Sequence, residues 1–370
     1  SRKYMKILYD GSIYSIQVTG GINRYFANVI NRLPDDFIPS LIVEKYPEFN
    51  CPTHPNLKLF RWYKRFRPER FRVLTEKLYA NAINKFNNFD LAHPTYYSLV
   101  TRQSLDYYQC PIVITVHDMI LELFPERVPH ISSDISIKKE AIKSAQAIIC
   151  VSESTKNDLI NIYNISEDKI SVIYHATGIS LSLSYGSEIV PEAPYYLYIG
   201  SRSKYKNFDP LLLAFAKTIS TQSDLKLCVI GSPFNDEEAK RIAELKLGEH
   251  LENYGYVSDS HLAKLYRHSI ALVYPSLYEG FGIPPLEAMS CKTAVIAANS
   301  SSIPEVVNDA GLLFNPESVD ELAEKLIFLL NHPLERENLI TKGYARSKLF
   351  SWEKTVTETI DVYRSIVESK

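Results

Sequence analysis

The sequence predicts an α/β protein made of two doubly wound domains, and three observations carry that prediction. Short apolar runs alternate with amphipathic stretches of helical length from end to end. The runs are continuously apolar, the mark of parallel strands covered on both faces. The chain has 370 residues, enough for about two domains with a core each.

In chain order, "KILYDG", "FIPSLIVE", "LKLFRWY", "FDLAHPT", "PIVITVHD", "AIICVSE" and "ISVIYHA" read as strands of the first half. "YYLYIGS", "LKLCVIGS", "IALVYPS", "TAVIAANS" and "GLLFNP" read as strands of the second. Stretches such as "NFDPLLLAFAKTIS" and "SVDELAEKLIFLLN" supply helices between them, and repeated βα units give parallel sheets. Residues 179–194, "ISLSLSYGSEIVPEAP", lack helical period and are rich in Ser, Gly and Pro. They are expected to link a first domain, 1–178, to a second, 195–350. Two such domains facing each other place a cleft at the strand C-termini, where these sheets bind ligands.

The bulk composition removes several function classes. Net charge is −2 and the pI is near 6.5, so nothing drives the whole surface toward nucleic acid. The five cysteines lie at least 40 residues apart with no CxxC. Reduced structural thiols and a cytoplasmic setting are the expectation. No apolar run approaches the length of a membrane span, so any membrane contact is peripheral, at the inner face. One stretch offers it. "RWYKRFRPERFR", Arg61 to Arg72, carries six basic residues against Glu69, with four aromatics interleaved. It reads either as a solvated loop with its rings packed inward or as a patch for anionic lipid.

The densest chemistry lies in the second half. "YIGSRSKYKNF" ends a strand at Gly200 and puts Arg202 and Lys206 just before a helix, a good arrangement for holding a diphosphate. "YEGFGIPPLEAM" places Glu279 and Glu287 with seven residues between them. Pro284 and Pro285 suit a first helical turn, whose N-terminus attracts anions. Taken singly, the cations are ordinary loop charges and Glu287 compensates a helix dipole. Their coincidence at two strand ends favours a site. In "VHD", His117 ends a strand in the first half, where a lone histidine is more often structural. Asp35–Asp36 follows Pro34 as a turn, so no DxD or ligand cluster calls for a metal.

"YEGFGIPPLEAM" resembles the EX7E motif of the retaining glycosyltransferases of family 4, which have the GT-B fold. "GGINRY", "VHD", "VSESTKNDL", "YIGSRSKYKNF", "YGYVSDSHLAKLY", "SSSIPEV" and "WEKTVTETIDVYRSI" are similar to other landmarks of that family, in the same order. The resemblance implies two facing Rossmann-like domains, with a last helix, 351–370, crossing back to the first. It implies that His117 acts beside the sugar, and that Arg202 and Lys206 neutralise the leaving nucleoside diphosphate. Glu279, with backbone groups of Phe281 and Gly282, would orient sugar hydroxyls. Gly20, Gly21 and Gly200 would approach the donor by backbone. Val257 would meet the base, Ile283 and Leu286 would line the nucleotide end, and Glu287 would hold the ribose. The implied reaction is same-face, retaining, cofactor-free and metal-free. The expected donor is UDP-hexose, glucose first, and the acceptor a polysaccharide or lipid-linked glycan. A nicotinamide oxidoreductase would need a G-x-G-x-x-G turn, which is absent. A GT-B epimerase and a non-catalytic nucleotide-sugar scaffold are the nearer rivals.

Overall fold

The computed structural model describes residues 4–62, 71, 73–75, 77–78, 81–82, 88–100, 105, 108–127 and 132–369, the side chains at 127, 132 and 133 excepted. Two compact units form. One gathers Ser1–Glu122, His130–His175 and Trp352–Lys370, the other Leu123–Pro129 and Ala176–Ser351.

In the first unit β1 (Met5–Asp10), β2 (Phe37–Val43), β3 (Lys58–Arg61) and β4 (Leu91–Ala92) form a parallel sheet in the order β3-β2-β1-β4. A bridge from Ala92 to Ile112 leads on to β5 (Val113–Val116), β6 (Ala147–Cys150) and β7 (Ile170–Val172), also parallel. The continuous apolarity is explained by burial: Ile7, Leu8 and Tyr9 have no exposed surface, nor do Ile148 and Ile149. Helix α1 (Gly21–Asn31) buries Tyr25, Phe26, Val29 and Ile30 along one face and packs on the last helix. Further along lie α2 (Ser132–Ser144) and α3 (Glu153–Tyr163). Of the Arg61–Arg72 stretch, Arg61, Trp62 and Phe71 lie among the described residues, and 63–70 and 72 lie outside them. Trp62 is buried beside Leu8, Ile42 and Phe89, so this ring is core.

The second unit holds six parallel strands in the order β10-β9-β8-β11-β12-β13. They are β8 (Tyr195–Ile199), β9 (Lys226–Ile230), β10 (Leu251–Gly255), β11 (Ala271–Tyr274), β12 (Ala294–Ala298) and β13 (Leu312–Phe314). The winding reverses between β8 and β11, so the loops leaving those strands flank the switch point. Its longer helices are α4 (Phe208–Thr218), α5 (Asp236–Glu244), α6 (Asp259–His268), α7 (Ile283–Ser290), α8 (Val319–Asn331) and α9 (Pro333–Ser347). β10 went unpredicted because it is an edge strand, partly exposed along its length, with no apolar run to read. Residues 179–194, expected as the interdomain linker, group with this unit. Lys264 donates to the Gly186 and Glu188 carbonyls, and Ser260 to the Glu188 carboxylate, tying the segment to α6.

The chain then returns. Helix α10 (Trp352–Glu368) belongs to the first unit. Its Tyr363 hydroxyl meets Tyr9 Oη at 3.1 Å and His93 Nδ1 at 2.5 Å, while Thr355 donates to the Tyr174 carbonyl at 2.7 Å. His93 Nε2 reaches Thr115 Oγ1 at 2.8 Å, and Tyr25 Oη lies 3.3 Å from the same hydroxyl. Each buried polar atom named here has a partner, which makes the network a clamp rather than a cost.

Candidate active site

β8 is followed by Gly200, whose φ of +128° is open to glycine and strained for other residues. A short 3-10 turn, Lys204–Lys206, follows and leads through left-handed Asn207 into α4. Arg202 lies along the Glu238 carboxylate, donating through Nε and Nη2, and Nη2 also reaches the Pro233 carbonyl at 2.9 Å. Its guanidinium carbon lies 5.6 and 5.1 Å from the ring centroids of Phe208 and Phe234, two rings that stack on each other. Nη1 is shielded and has no hydrogen-bond partner. Glu238 was invisible as a partner in the sequence, although "NDEE" is a capping box for α5. Arg202 also borders a groove of about 550 Å³ with Lys204, Asn235 and Arg241.

The loop after β11 meets this one at the switch point. Leu277 N–H donates to the Tyr205 carbonyl at 2.8 Å, and Lys206 Nζ donates to Glu279 Oε1 at 2.5 Å. Both side chains of this ion pair are largely buried, at 16% and 11% exposure. Three consecutive serines hold the Glu279 loop in shape. Ser300 donates to the Leu277 carbonyl, Ser301 Oγ accepts from Glu279 N–H at 2.8 Å, and Ser302 donates to the Glu279 and Phe281 carbonyls at 2.7 Å each. Phe124, from the segment Leu123–Pro129, packs against Tyr205 and Tyr278, the neighbours of Lys206 and Glu279.

Each motif glutamate faces a buried tyrosine. Tyr274, at the end of β11, hydrogen-bonds Glu279, and its hydroxyl pKa is raised by burial first and then by the Glu279 charge. Tyr266, on α6, donates to Glu287 Oε2 at 2.8 Å and is raised by burial first and then by the Glu287 charge. Both phenols therefore stay protonated as donors. Neither tyrosine was singled out in the sequence, because a tyrosine in an apolar run reads as core.

The helix N-terminus differs from expectation in its donors. Gly282 caps α7 with φ +120°, and Pro284 and Pro285 have no N–H to offer. Ile283 is the one residue of 283–285 with a backbone donor. Leu286, expected to line the nucleotide end, is 1% exposed, and its neighbours Ala288 and Met289 are buried as well. Glu287 is 5% exposed, and Phe281 is likewise buried. Val257 is half-buried between β10 and α6.

The remaining candidates lie in the first unit. Gly20 caps α1 in an extended conformation, its N–H donating to Asn23 Oδ1 at 3.0 Å. A Cβ on Gly20 would strike the Gln17 side chain, whereas one on Gly21 would meet open space. His117 follows β5. Its ring has Tyr25 at 5.2 Å, edge to face, and His175 in a near-parallel plane. Its pKa lies well below the usual histidine value, by burial first and then by the proximity of His175, His93 and Lys138. The Asp118 beside it makes a turn, accepting from Ile120 N–H at 3.0 Å. Among the described residues no group of three or more His, Cys, Asp or Glu side chains is arranged to hold a metal.

Two family models divide the chain between them. Glycosyltransferase Family 4 matches residues 19–180, and Glycosyl transferases group 1 matches residues 185–346. The chain is a glycosyltransferase of the GT-B fold. Among curated relatives, this glycosyltransferase is 29% identical over 401 residues to O-antigen chain mannosyltransferase B of Escherichia coli, covering 97% of this chain and 100% of that one. It is 26% identical over 356 residues to the MMP alpha-(1->4)-mannosyltransferase of Mycolicibacterium hassiacum, covering 89% and 85%. In fold it is similar to sucrose-phosphate synthase of Thermosynechococcus elongatus, with TM-score 0.77, 20% identity and coverage of 99% and 100%. It is also similar to Anabaena Alr3699/HepE in complex with UDP and glucose, with TM-score 0.76, 16% identity and coverage of 98% and 100%.

Proposed function

We propose that this glycosyltransferase moves a mannosyl residue from a nucleoside diphosphate sugar to a growing polysaccharide or lipid-linked glycan, with retention of anomeric configuration. The observation that carries the reading is the joining of the loops after β8 and β11 through Lys206 and Glu279. A departing diphosphate gathers negative charge as the sugar becomes oxocarbenium-like. Fixed cations aimed at that charge lower the barrier, a single well-placed donor contributing about 3–4 kcal/mol. Glu238 and Glu279 hold Arg202 and Lys206 in place beforehand, so little reorganisation accompanies the reaction.

In this reading Arg202 and Lys206 take the diphosphate, with Gly200, Gly20 and Gly21 approaching it by backbone. Glu279, Phe281 and Gly282 orient the sugar, and His117 assists at the reacting centre. Ile283, Leu286 and Val257 meet the nucleotide through backbone and apolar surface, and Glu287 the ribose. Mannose replaces glucose as the first sugar because the curated relatives described above are mannosyltransferases. In this reading Arg202 and Lys206 supply the charge that a metal would, so activity should survive EDTA. Loss on chelation, restored by Mg²⁺ or Mn²⁺, would overturn that part.

The deciding experiment incubates the protein with UDP-, GDP- and ADP-linked glucose and mannose, with and without a glycan acceptor. Transfer of mannose with its configuration kept, read by NMR, is expected. An inverted linkage would refute retention, free epimerised donor would favour the epimerase, and binding without turnover would favour the scaffold. Peripheral contact through residues 61–72 belongs to the same proposal. Phe71 within that stretch and Val73, Leu74 and Leu78 after it are more than half exposed. No helix among the described residues is long and apolar enough to cross a membrane. Co-sedimentation with anionic vesicles that weakens with salt is the expected result.

A further inference from the structure

His117 has a second histidine at its edge. His117 Nδ1 lies 3.4 Å from His175 Nε2. The ring centroids are 5.4 Å apart and the planes differ by 9°. Imidazoles whose nearest nitrogens are that close can separate their centroids so far only if those nitrogens point at each other. The contact is therefore edge to edge, along the direction of an N–H···N hydrogen bond. The Tyr25 ring packs nearly perpendicular to both imidazoles, at 5.2 and 5.0 Å, and the Trp352 ring lies 6.4 Å from His175. Neither ring can turn away without displacing an aromatic neighbour. Both histidines are held neutral by burial, His175 with its pKa lowered to about 4.

Two neutral imidazoles in this arrangement share one proton, and the pair has two states. In one, each ring carries its proton on Nε2, and His175 donates to His117 Nδ1. In the other, each carries it on Nδ1, and the donation runs the opposite way. The first places both rings in the tautomer that a free neutral histidine favours. It also turns His117 Nε2, which is shielded and has no partner, into an N–H facing outward from the pair.

We propose that His175 is a positioning residue: it donates to His117 Nδ1 and so fixes His117 Nε2 as a hydrogen-bond donor for the sugar. The proposal rests on reading His117 as the group that meets the sugar, and it adds the atom and the polarity of that contact. It also gives a place in the chain to the control. His175 is the residue of the first unit just before the stretch Ala176–Ser351 of the second, and Trp352 is the one just after it. The two crossings that flank residues 176–351 are thus at, or within ring contact of, the histidine pair.

The test is ¹⁵N NMR of the full chain labelled at histidine. Wild type should show His117 protonated at Nε2 and bare at Nδ1, with a coupling across the N···N contact. His117 protonated at Nδ1, or a rapid mixture of both forms, would overturn the proposal even if no variant folds. His175→Asn, whose amide cannot reach the position of Nε2, should mix the tautomers and lower kcat by up to about 100-fold with KM little changed. His175→Gln carries an amide N–H to that position and should restore both. An unchanged His117 tautomer in His175→Asn would sink the positioning role. Wild-type turnover in His117→Ala would instead remove His117 from the reaction, a separate failure that the NMR result does not depend on.

Discussion

At the scale of single residues, the site is a set of charges held by their neighbours. Lys206→Ala should lower turnover by about 100-fold or more, because leaving-group charge then goes uncompensated. Its melting temperature should fall as well, since Glu279 is left without the cation it pairs with in a largely buried setting, so turnover is compared well below the melting range. Wild-type rates in that variant would take Lys206 out of the mechanism. Tyr266→Phe should act differently. It strips a buried donor from Glu287 and should cost about 1–3 kcal/mol in urea unfolding, with weaker donor binding by calorimetry. Unchanged stability would mean that Glu287 finds another donor at no cost. The cations and glutamates of the candidate site were legible in the sequence because they coincide at two strand ends, and the glycines only through the family resemblance. Their keepers were not. Glu238, Tyr266, Tyr274 and the serines at 300–302 look like surface, core and turn until the fold brings them within hydrogen-bond reach.

At the scale of elements, parallel strands were legible because burial on both faces leaves an uninterrupted apolar run. β10 was not, because an edge strand needs no such run. The hydrogen-bonded network between β1, β4, β5, α1 and α10 was hidden for another reason: its members lie up to 354 positions apart. It makes a prediction about pH. His93 has its pKa lowered to about 3 and His175 to about 4, both by burial, and His117 is lowered as well. Below the ordinary value of 6.5 the unfolded chain binds protons at these positions that the folded chain refuses, so stability is lost as pH falls from there toward 4. Asp10 opposes this. Burial raises its carboxyl to about 7, so its contribution is full below the unfolded value and lost as pH rises through 7. Three histidines outweigh one aspartate, and the slope is about 1.4 kcal/mol per pH unit for each proton of difference. Thermal melts between pH 6.5 and 4 should therefore fall, and His93→Gln should flatten the decline. A melting temperature that rises with acid would contradict the burial of neutral histidines.

At the scale of the whole molecule, one unit is a nearly continuous stretch and the other is assembled from both ends of the chain. Removing Trp352–Lys370 should therefore weaken the first unit, which loses the Tyr363 hydroxyl that meets His93 and Tyr9. The second should keep its own transition. Domain-resolved hydrogen exchange checks this, and equal loss of protection in both units would count against it. The same arrangement has a consequence for the order of events during synthesis. Translation delivers residues 176–351 before it delivers α10. The unit encoded later can complete itself first, while the unit encoded earlier waits with its His93 pocket open for a helix not yet made. A nascent chain of this protein would thus reach its native form in the reverse of the order in which its halves emerge from the ribosome.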